Sequence, residues 1–290
     1  MRIVITGGCG FLGSHIAEIA AENRHKVIVI DSLLKFKIKN KNIEYVKKDI
    51  GNQNILNKII KKNDVIYHLA SISDIIEASV NGIKTVENNI LNTVKLLEVI
   101  KSKKIKKLIF ASSIYVHSNI GGFYRISKKS SELFTEEYAK KFGFKFTILR
   151  FGSVYGPRQN IKNNISNMVF NALNYKKLIY NGDEKSERSF IYVKDMAYAA
   201  YEIISKKYDN KVILITGKKK TKVKKVLQII KNKLKLKCNS IFNKNLSHHY
   251  IKNPYSYKEL KENKFYLKNY TNLSNGVAKT IEYQTKKVII

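Results

Sequence analysis

MRIVITGGCGFLGSHIAEIAAENRHKVIVID, residues 1–31, contains two short apolar runs separated by closely spaced glycines and an amphipathic stretch. The pattern predicts a strand over residues 2–6, a helix over residues 11–23 and a second strand over residues 26–30. Asp31 follows directly at the end of that second strand. The order strand, glycines, helix, strand and aspartate is typical of a dinucleotide-binding unit.

The glycines of this stretch fit two phosphate-binding spacings. A tight turn must leave the strand, the backbone must approach a pyrophosphate, and the helix must pack closely on the sheet. The start of the helix then offers free N–H groups and a positive dipole end to the phosphates. The spacing G-x-G-x-x-G is met by Gly8, Gly10 and Gly13, and G-x-x-G-x-x-G by Gly7, Gly10 and Gly13.

Asp31 indicates which dinucleotide binds. A carboxylate at this position accepts both ribose hydroxyls of adenosine and repels a 2′-phosphate. No arginine follows at Ser32, Leu33 or Leu34 to hold such a phosphate. We therefore predict NAD, and not NADP, as the cofactor.

Length and composition narrow the class of protein. At 290 residues the chain forms one large domain or a domain with a lobe. No apolar run reaches the roughly 18 residues of a membrane span, and the sequence enters a strand at once, without a signal peptide. Of the two cysteines, Cys9 lies inside the glycine turn, which argues against a structural disulfide. We expect a cytoplasmic protein without membrane contact.

The net charge of +33 raises the question of a nucleic-acid partner. Only six of the 55 basic residues are arginine, the residue that nucleic-acid sites use for bidentate and stacking contacts. The lysine runs 103–107 and 218–225 fall at predicted helix ends and in a loop, where solvated charge is expected. We predict no specific nucleic-acid partner.

Alternating apolar runs and helical periodicity predict an α/β protein. Helical periodicity is clearest over residues 86–101 and 127–142, and such alternation produces a parallel sheet covered on both faces. The prediction is a doubly wound parallel Rossmann sheet in residues 1–150, with contributions from about 178–215, and a smaller, partly interleaved C-terminal lobe in residues 151–290 that binds substrate. We expect the last forty residues to be loop-like. The predicted sheet strands cover residues 2–6, 26–30, 65–70, 107–112 and 144–149.

Ser113, Tyr124 and Lys128 are the candidate catalytic residues. Ser113 closes a core strand, and the tyrosine and lysine lie one helical turn apart on one face. A phenol loses its proton near pH 10, and a neighbouring ammonium and a pyridinium lower that pKa. Tyr124 then acts as a base, and Ser113 hydrogen-bonds the reacting oxygen. Ser112 is adjacent to Ser113 and is the alternative for that role.

At this point the chain resembles the extended short-chain dehydrogenase/reductase family, in its nucleotide-sugar epimerase and dehydratase branch. The resemblance covers essentially the whole chain and includes a closing helix over residues 273–283. It rests on the segments TGGCGFLGSHI (6–16), DI (49–50), YHLAS (67–71), Asn89 with Thr93, FASS (110–113), YRISK (124–128) with Glu132, LRFGSVYGPRQ (149–159) and GDEKSERSFIYVKD (182–195).

The resemblance implies which residues bind cofactor and substrate. The substrate is a UDP-, GDP-, CDP- or dTDP-linked sugar, and the arginine of segment 182–195 binds its phosphates. The implied cofactor-binding residues are Gly7, Gly10, Phe11, Leu12, Gly13, Asp31, Ser32, Asp49, Ile50, Leu69, Ala70, Ser71, Asn89, Ser112, Tyr124, Lys128, Phe151 and Gly152. The implied substrate-binding residues are Ser73, Ser113, Tyr115, Tyr124, Ser153, Arg158 and Arg188.

Several departures from the family pattern bear on the reaction. Sugar-nucleotide dehydratases carry Asp-Glu after the catalytic hydroxyl residue, and related decarboxylases carry a Glu, whereas this chain has Ile114-Tyr115. Only ten residues, 114–123, separate Ser113 from Tyr124, which shortens one wall of the substrate pocket. Ser153 stands where many members have a substrate-binding Asn, and residues 213–217 lack the usual Asn-x-Gly.

The leading hypothesis is an NAD-dependent nucleotide-sugar epimerase that acts at C4 through a transient keto-sugar. The alternatives are a keto-sugar-nucleotide reductase or dehydrogenase, a dehydratase, and a non-catalytic nucleotide-sensing or RNA-binding member. Tyr115 and His117 are weighed as substituted acids against an ordinary loop role. His68 is expected to be a core histidine, and the pair at positions 248 and 249 suggests no metal site. The helices over 86–101 and 127–142 are expected to pair with their copies in a four-helix homodimer interface.

Overall fold

The computed structural model describes residues 1–243 and 263–288. Its main sheet has eight strands in the order β14-β11-β6-β5-β4-β1-β2-β3, and every neighbouring pair is parallel. The described strands are β1 (Arg2–Thr6), β2 (Lys26–Asp31), β3 (Ile43–Lys47), β4 (Val65–His68), β5 (Lys107–Ser113), β6 (Phe146–Phe151), β7 (Ser153–Tyr155), β8 (Leu178–Tyr180), β9 (Glu187–Arg188), β10 (Phe190–Tyr192), β11 (Lys211–Ile215), β12 (Thr221–Lys222), β13 (Ser240–Phe242) and β14 (Asn263–Lys264). This arrangement confirms the predicted fold class.

Helices alternate with the strands of the sheet. The continuous helical run from Gly82 to Ile100 contains a π-helical segment, Val86–Leu91. The described α-helices are α1 (Phe11–Glu22), α2 (Gln53–Ile59), α3 (Ile75–Val80), α4 (Gly82–Thr85), α5 (Asn92–Ile100), α6 (Gly122–Phe142), α7 (Asn164–Tyr175), α8 (Val193–Glu202), α9 (Val223–Lys233) and α10 (Leu273–Val288). Among the residues described, no helix combines the length and the hydropathy needed to cross a lipid bilayer.

The central strands form because their sequences are apolar on both faces. In β1, Ile3, Val4 and Ile5 are fully buried, which is typical of a parallel strand covered by helices on both sides. Each of the five predicted strands is present; β1 has the predicted ends, and the ends of the other four are shifted. The edge strand β3 was not predicted, because charged residues interrupt its sequence IEYVK and none of its residues is fully buried.

The chain divides into two compact units. The first contains residues 1–151, 197–215 and 263–265 of the described chain and holds the eight-stranded sheet. The second contains residues 152–196, 216–243 and 266–288. In the second unit, three two-stranded pairs, β7 with β10, β9 with β12 and β8 with β13, accompany the mutually packed helices α7, α9 and α10. The predicted roles of the two parts, cofactor binding and substrate binding, stay predictions.

The expectation of a loop-like C-terminus is wrong for the part that the structure describes. Residues Leu273–Val288 form the 16-residue helix α10. Val277, Thr280 and Gln284 recur along one buried face of it, and this helical spacing was obscured by the many lysines and polar residues around it. The helix over 273–283 that the resemblance implied lies within α10.

The interpretation of lysine run 103–107 as solvated charge is wrong for Lys107. Its Nζ is buried, lies 2.7 Å from a carboxylate oxygen of Asp209, and donates to the carbonyls of Ile203 and Ser205 at 2.9 and 3.2 Å. Burial lowers the pKa of Lys107, while Asp209 raises it. The partners lie about a hundred residues away in the chain, so the local charge pattern carried no sign of them.

Candidate active site

The glycine turn joins β1 to α1 at the carboxyl edge of the sheet. Gly7 has a φ of +70°, and a Cβ there would lie 2.6 Å from the backbone nitrogen of Ala70. A Cβ on Gly13 would overlap the carbonyl oxygen of Gly7, which accepts the N–H of Gly10 at 3.1 Å. Phe11 and Leu12 begin α1 directly after this turn. The turn thus presents side-chain-free backbone at a helix N-terminus, which fits the pyrophosphate of a dinucleotide.

Asp31 lies at the end of β2, beside this turn. Its Oδ2 accepts the backbone N–H of Cys9 at 2.9 Å, and its Oδ1 accepts that of Leu33 at 3.0 Å. Burial, and secondarily the Asp31 carboxylate, raise the pKa of the Cys9 thiol to about 11. The thiol is therefore uncharged at neutral pH, and the carboxylate is the group of this pair that can accept ribose hydroxyls.

Other predicted cofactor residues lie in the loops that follow β2, β3 and β4. Leu69, Ala70 and Ser71 come directly after β4, and the N–H of Leu69 donates to the carbonyl of Thr6 at 3.0 Å. In the loop after β3, Asp49 accepts the N–H of Gly51 at 2.6 Å, and Ile50 is buried. Ser32, after β2, is exposed.

Asn89 holds the loop after β4 in place. Its Oδ1 accepts the N–H of Ile72 at 2.7 Å, and its Nδ2 donates to the carbonyl of Ile72 at 3.0 Å and to Ser127 Oγ at 2.9 Å. The amide therefore links the π-helical segment to that loop and to α6. Its predicted contact with the cofactor stays a prediction.

The structure distinguishes the two serines at the end of β5. Ser112 Oγ donates to Glu132 Oε1 at 2.6 Å, inside the protein. Ser113 Oγ accepts the N–H of Tyr115 at 3.3 Å, at the start of the following 3₁₀ turn. Adjacent residues of a strand point to opposite faces, so only the Ser113 hydroxyl lies on the side of the loop. Ser113 is the better candidate for the catalytic hydroxyl.

Tyr124 and Lys128 lie in the first two turns of α6, and both are buried. The helix begins at Gly122, five residues before the predicted start. Lys128 Nζ donates to the carbonyl of Ala111 at 2.9 Å and lies 5.2 Å from the centre of the Phe110 ring, so it packs on the strand that ends at Ser113. Burial lowers the pKa of Lys128 to about 8, against a smaller opposing effect of Glu132.

A buried ion pair that sequence reasoning did not identify lies behind these residues. Arg150 Nε donates to Glu132 Oε1 at 2.8 Å, and its Nη2 donates to Oε2 at 2.7 Å. Arg150 Nη1 contacts Nε2 of His117. The only sequence signal was the position of Glu132, one turn after Lys128 on the same helix face.

His68 is a core histidine, as predicted. Thr6 Oγ1 lies 2.7 Å from its Nδ1, and Thr93 Oγ1 lies 3.0 Å from its Nε2. Burial, and then the charge of Lys128, lower the pKa of His68 to about 3, which keeps the ring neutral. The histidines at 248 and 249 lie outside the described residues.

The remaining predicted substrate residues, and the predicted cofactor residues Phe151 and Gly152, are divided between the two units. In the first unit, Ser73 is exposed, Tyr115 is half-buried, and Phe151 ends β6. In the second unit, Gly152 adjoins Thr216, Ser153 is buried in β7, and Arg158 has a left-handed φ of 69°. Their binding roles stay predictions.

Arg188 in the second unit is buried on β9. Its Nη1 donates to the carbonyl of Glu187 at 2.8 Å, and its Nη2 lies 3.5 Å from the hydroxyl of Tyr180. The ring of Tyr180 packs edge-on against Phe242. A guanidinium held in this way keeps a fixed direction, which suits the recognition of a phosphate group.

Comparison with known proteins places this geometry in a family. Residues 3–215 match the sequence pattern described as the NAD dependent epimerase/dehydratase family. A putative UDP-glucose 4-epimerase of Methanocaldococcus jannaschii is 30% identical over 262 residues, which cover 83% of this chain and 85% of that protein. Other relatives carry the names of dehydratases and decarboxylases.

Two solved structures are similar over nearly the whole chain. One is a UDP-N-acetylglucosamine 4-epimerase from Methanobrevibacter ruminantium M1 in complex with UDP-N-acetylmuramic acid, with a TM-score of 0.86, 25% identity and coverage of 99% of this chain and 98% of that one. The other is a UDP-glucuronic acid 4-epimerase from Bacillus cereus in complex with UDP-glucuronic acid and NAD, with a TM-score of 0.83, 25% identity and coverage of 99% and 100%.

Proposed function

Because this chain belongs to the NAD dependent epimerase/dehydratase family, we propose that it is an NAD-dependent epimerase that inverts C4 of a nucleotide-linked sugar. The observation that carries the proposal is the arrangement at the end of β5. Buried Tyr124 and Lys128 pack beside the strand that ends at Ser113, and two side chains without a carboxylate, Ile114 and Tyr115, follow that serine.

Each of the three residues has a defined part in the proposed reaction. When bound, NAD would supply the hydride acceptor and donor for a reaction that passes through a 4-keto sugar. Tyr124 takes the proton of the sugar C4 hydroxyl and gives it back after the sugar has turned over. Ser113 donates a hydrogen bond to the same oxygen. The Lys128 ammonium favours the phenolate of Tyr124 and holds the ribose of the cofactor.

Residues of each of the two units have proposed roles in binding the cofactor or the sugar nucleotide. The glycine turn and Asp31 hold the pyrophosphate and the adenosine ribose of NAD. Arg188, in the second unit, pairs with the diphosphate of the sugar nucleotide, and Ser153 and Arg158 lie on neighbouring segments of that unit.

Dehydration or decarboxylation fits these residues less well than epimerisation. A leaving hydroxyl needs a general acid, and the positions after Ser113 hold Ile114 and Tyr115. His117, weighed as a substituted acid, is directed at Arg150. A guanidinium has only donors, so the nitrogen facing it carries no proton to deliver.

The test is a panel of UDP- and GDP-linked sugars incubated with the protein and resolved by chromatography. We expect one sugar pair that differs at C4 to interconvert without added NADH. Tyr124→Phe removes the proton acceptor and should lower the rate by about a hundredfold or more, while Tyr175→Phe, at the exposed last residue of α7, should leave it unchanged. No interconversion of any tested sugar would count against the proposal.

The alternatives predict different products. A reductase or dehydrogenase changes the amount of NADH in step with product, which the absorbance at 340 nm records. A dehydratase yields a keto-deoxy sugar with loss of water, visible by mass spectrometry. A nucleotide-sensing or RNA-binding member would bind its ligand and keep its biological function with Tyr124→Phe.

We also propose that two copies of the chain pair through an apolar stripe on the first unit. Exposed apolar side chains recur at helical spacing on α6 and on the helical run 82–100. A contiguous exposed apolar surface on paired helices is typical of an interface. The stripe contains Ile83, Val86, Leu91, Phe123, Ile126, Leu133 and Phe134. Leu133→Asp should convert a dimer to a monomer in light scattering, whereas Tyr175→Asp should not.

The cytoplasm is the compartment that we propose for the enzyme. Cys9 and Cys238 are both free thiols, as is usual in a reducing compartment. Fractionation of cells that produce the protein tests this.

A further inference from the structure

The short turn after Ser113 is joined to the protein core through His117. Residues Ile114–His117 form one 3₁₀ turn, which begins where Ser113 Oγ accepts the N–H of Tyr115 and ends where the N–H of Ser118 donates to the carbonyl of Tyr115 at 2.8 Å. At the end of this turn, His117 Nε2 contacts Arg150 Nη1. The turn therefore carries one candidate catalytic residue and one candidate substrate-binding residue.

Arg150 is a fixed partner for this histidine. Its Nε and Nη2 both donate to the carboxylate of Glu132, and Ser112 Oγ donates to the same carboxylate. The three side chains are buried and come from β6, α6 and β5. A bidentate pair of this kind sets the plane of the guanidinium, so Nη1 points in one direction, at the ring of His117.

The chemistry of the pair defines which ring nitrogen of His117 accepts the hydrogen bond. A guanidinium stays protonated and has five donors and no acceptor. The facing Nε2 must therefore present a lone pair, and the neutral ring carries its proton on Nδ1. An imidazolium would set an N–H and a positive charge against the guanidinium. Three other charged residues of α6 lie near this pair. Lys129 Nζ is 3.7 Å from Glu132 Oε2. The charge of Glu132 also raises the pKa values of Lys128 and Glu136.

We propose that His117 is a positioning residue, which holds the turn bearing Ser113 and Tyr115 against Arg150 through a ring nitrogen that accepts from the guanidinium. The inference rests on the proposed epimerase function, because the turn matters for catalysis only if Ser113 and Tyr115 meet the sugar. It deepens that function by making the placement of Ser113 depend on a residue that touches neither sugar nor cofactor.

The first test does not depend on activity. The chain has six histidines, and nitrogen NMR of protein labelled with ¹⁵N-histidine, with His117→Gln to assign the signal, reports the tautomer of each. At about pH 8 we expect His117 as a neutral ring with its proton on Nδ1. A proton on Nε2, in either the neutral or the charged ring, would overturn the inference.

The second test is kinetic. His117→Gln keeps a side-chain oxygen that accepts from Arg150 and does not titrate, so kcat should stay within about threefold of wild type. Glutamine should therefore rescue the position of the turn, which a residue that only fills volume would not require. His117→Phe fills the volume without an acceptor and should lower kcat about tenfold or more, with NAD affinity unchanged.

His25→Phe is the matched control. His25 lies at the opposite edge of the sheet, with its Nε2 2.9 Å from the hydroxyl of Tyr201, and its replacement should leave kcat unchanged. If His117→Gln loses as much kcat as His117→Phe, or if His117→Phe loses none, the inference is wrong. If wild type epimerises no sugar, the proposed function fails, and the NMR measurement still decides which ring nitrogen of His117 carries the proton.

Discussion

The carboxylate of Asp31 accepts a hydrogen bond from the backbone N–H of Cys9 at 2.9 Å. The residue proposed to hold the adenosine ribose therefore also fixes the middle of the glycine turn proposed to hold the pyrophosphate. Because two cofactor contacts share one carboxylate, a change at Asp31 affects both the position of the turn and the charge at the ribose.

Asp31→Asn removes the charge and keeps one acceptor for the turn. Its single amide oxygen can still accept from Cys9, the Leu33 N–H loses the second carboxylate oxygen, and the negative charge that repels a 2′-phosphate is lost. Since hydrogen bonds to charged groups contribute about 1.5–3 kcal/mol, the Kd of NAD should rise about tenfold or more. The ratio of the affinity for NAD to the affinity for NADP should fall. Calorimetric titration of both cofactors measures this, with Glu44→Gln on edge strand β3 as the control. Unchanged affinities for both cofactors would refute the role of Asp31.

Alanine at two glycines of the turn should have different consequences. A Cβ on Gly13 overlaps the Gly7 carbonyl, whereas a Cβ on Gly10 meets only that oxygen, at 3.2 Å. Gly13→Ala should lower the melting temperature by several degrees and abolish NAD binding. Gly10→Ala should fold with nearly normal stability and lose NAD affinity, because the methyl group occupies the approach to the pyrophosphate. Thermal melts with and without NAD distinguish the two, and equal melts would contradict the account.

Lys128 links pH to both stability and activity. Burial lowers its pKa in the folded chain to about 8, below the ordinary lysine value of 10.5. Between these pH values the unfolded chain holds a proton that the folded chain has lost, so the contribution of Lys128 to the free energy of unfolding rises with pH. Below about pH 8 the buried ammonium is charged and this contribution is at its lowest. Catalysis needs the charged form, so kcat/KM should fall above about pH 8.

Lys128→Met tests both consequences. It should abolish activity, raise the free energy of unfolding at neutral pH, and remove the rise between about pH 8 and 10.5. Urea unfolding at several pH values, compared with Lys140→Met on the exposed side of α6, isolates this contribution. The same pH slope in Lys128→Met and wild type would mean that Lys128 is not the group responsible.

Lys106 and Lys107 are adjacent in the chain, but Lys106 is exposed and Lys107 is buried. Lys107→Met leaves Asp209 and two backbone carbonyls without their donor, and should reduce the free energy of unfolding by about 2–4 kcal/mol. Lys106→Met, at an exposed position, should change it by less than about 0.5 kcal/mol. Denaturant titration of the two variants gives the comparison, and equal effects would show that the buried pair contributes little.

The parts of the site that could be predicted from sequence are those whose determinants are local. The glycine turn and the pair Tyr124 and Lys128 each span only a few residues of one element. Asp31 follows the turn at the distance that one helix and one strand set. Glu132, Arg150 and His117 come from a helix, a strand and a turn, and only the packing of those elements brings them together. Lys107 was misinterpreted for the same reason, because its partner Asp209 is distant in the chain.

The local sequence pattern could not distinguish Ser112 from Ser113 as the candidate catalytic serine. Both serines fit the motif, and strand alternation requires that they point to opposite faces without saying which face is which. The structure favours Ser113 as the candidate, because the Ser112 hydroxyl donates to Glu132.

The most direct test of the central claim follows a deuterium atom placed at C4 of the sugar that the panel identifies as substrate. If the bound cofactor takes up the C4 hydride and returns it, mass spectrometry should show the deuterium retained in the C4-inverted product, with no net NADH formed. Inverted product that has lost its deuterium to water would contradict the account. Wild-type protein that converts the labelled sugar no faster than Tyr124→Phe would contradict it as well.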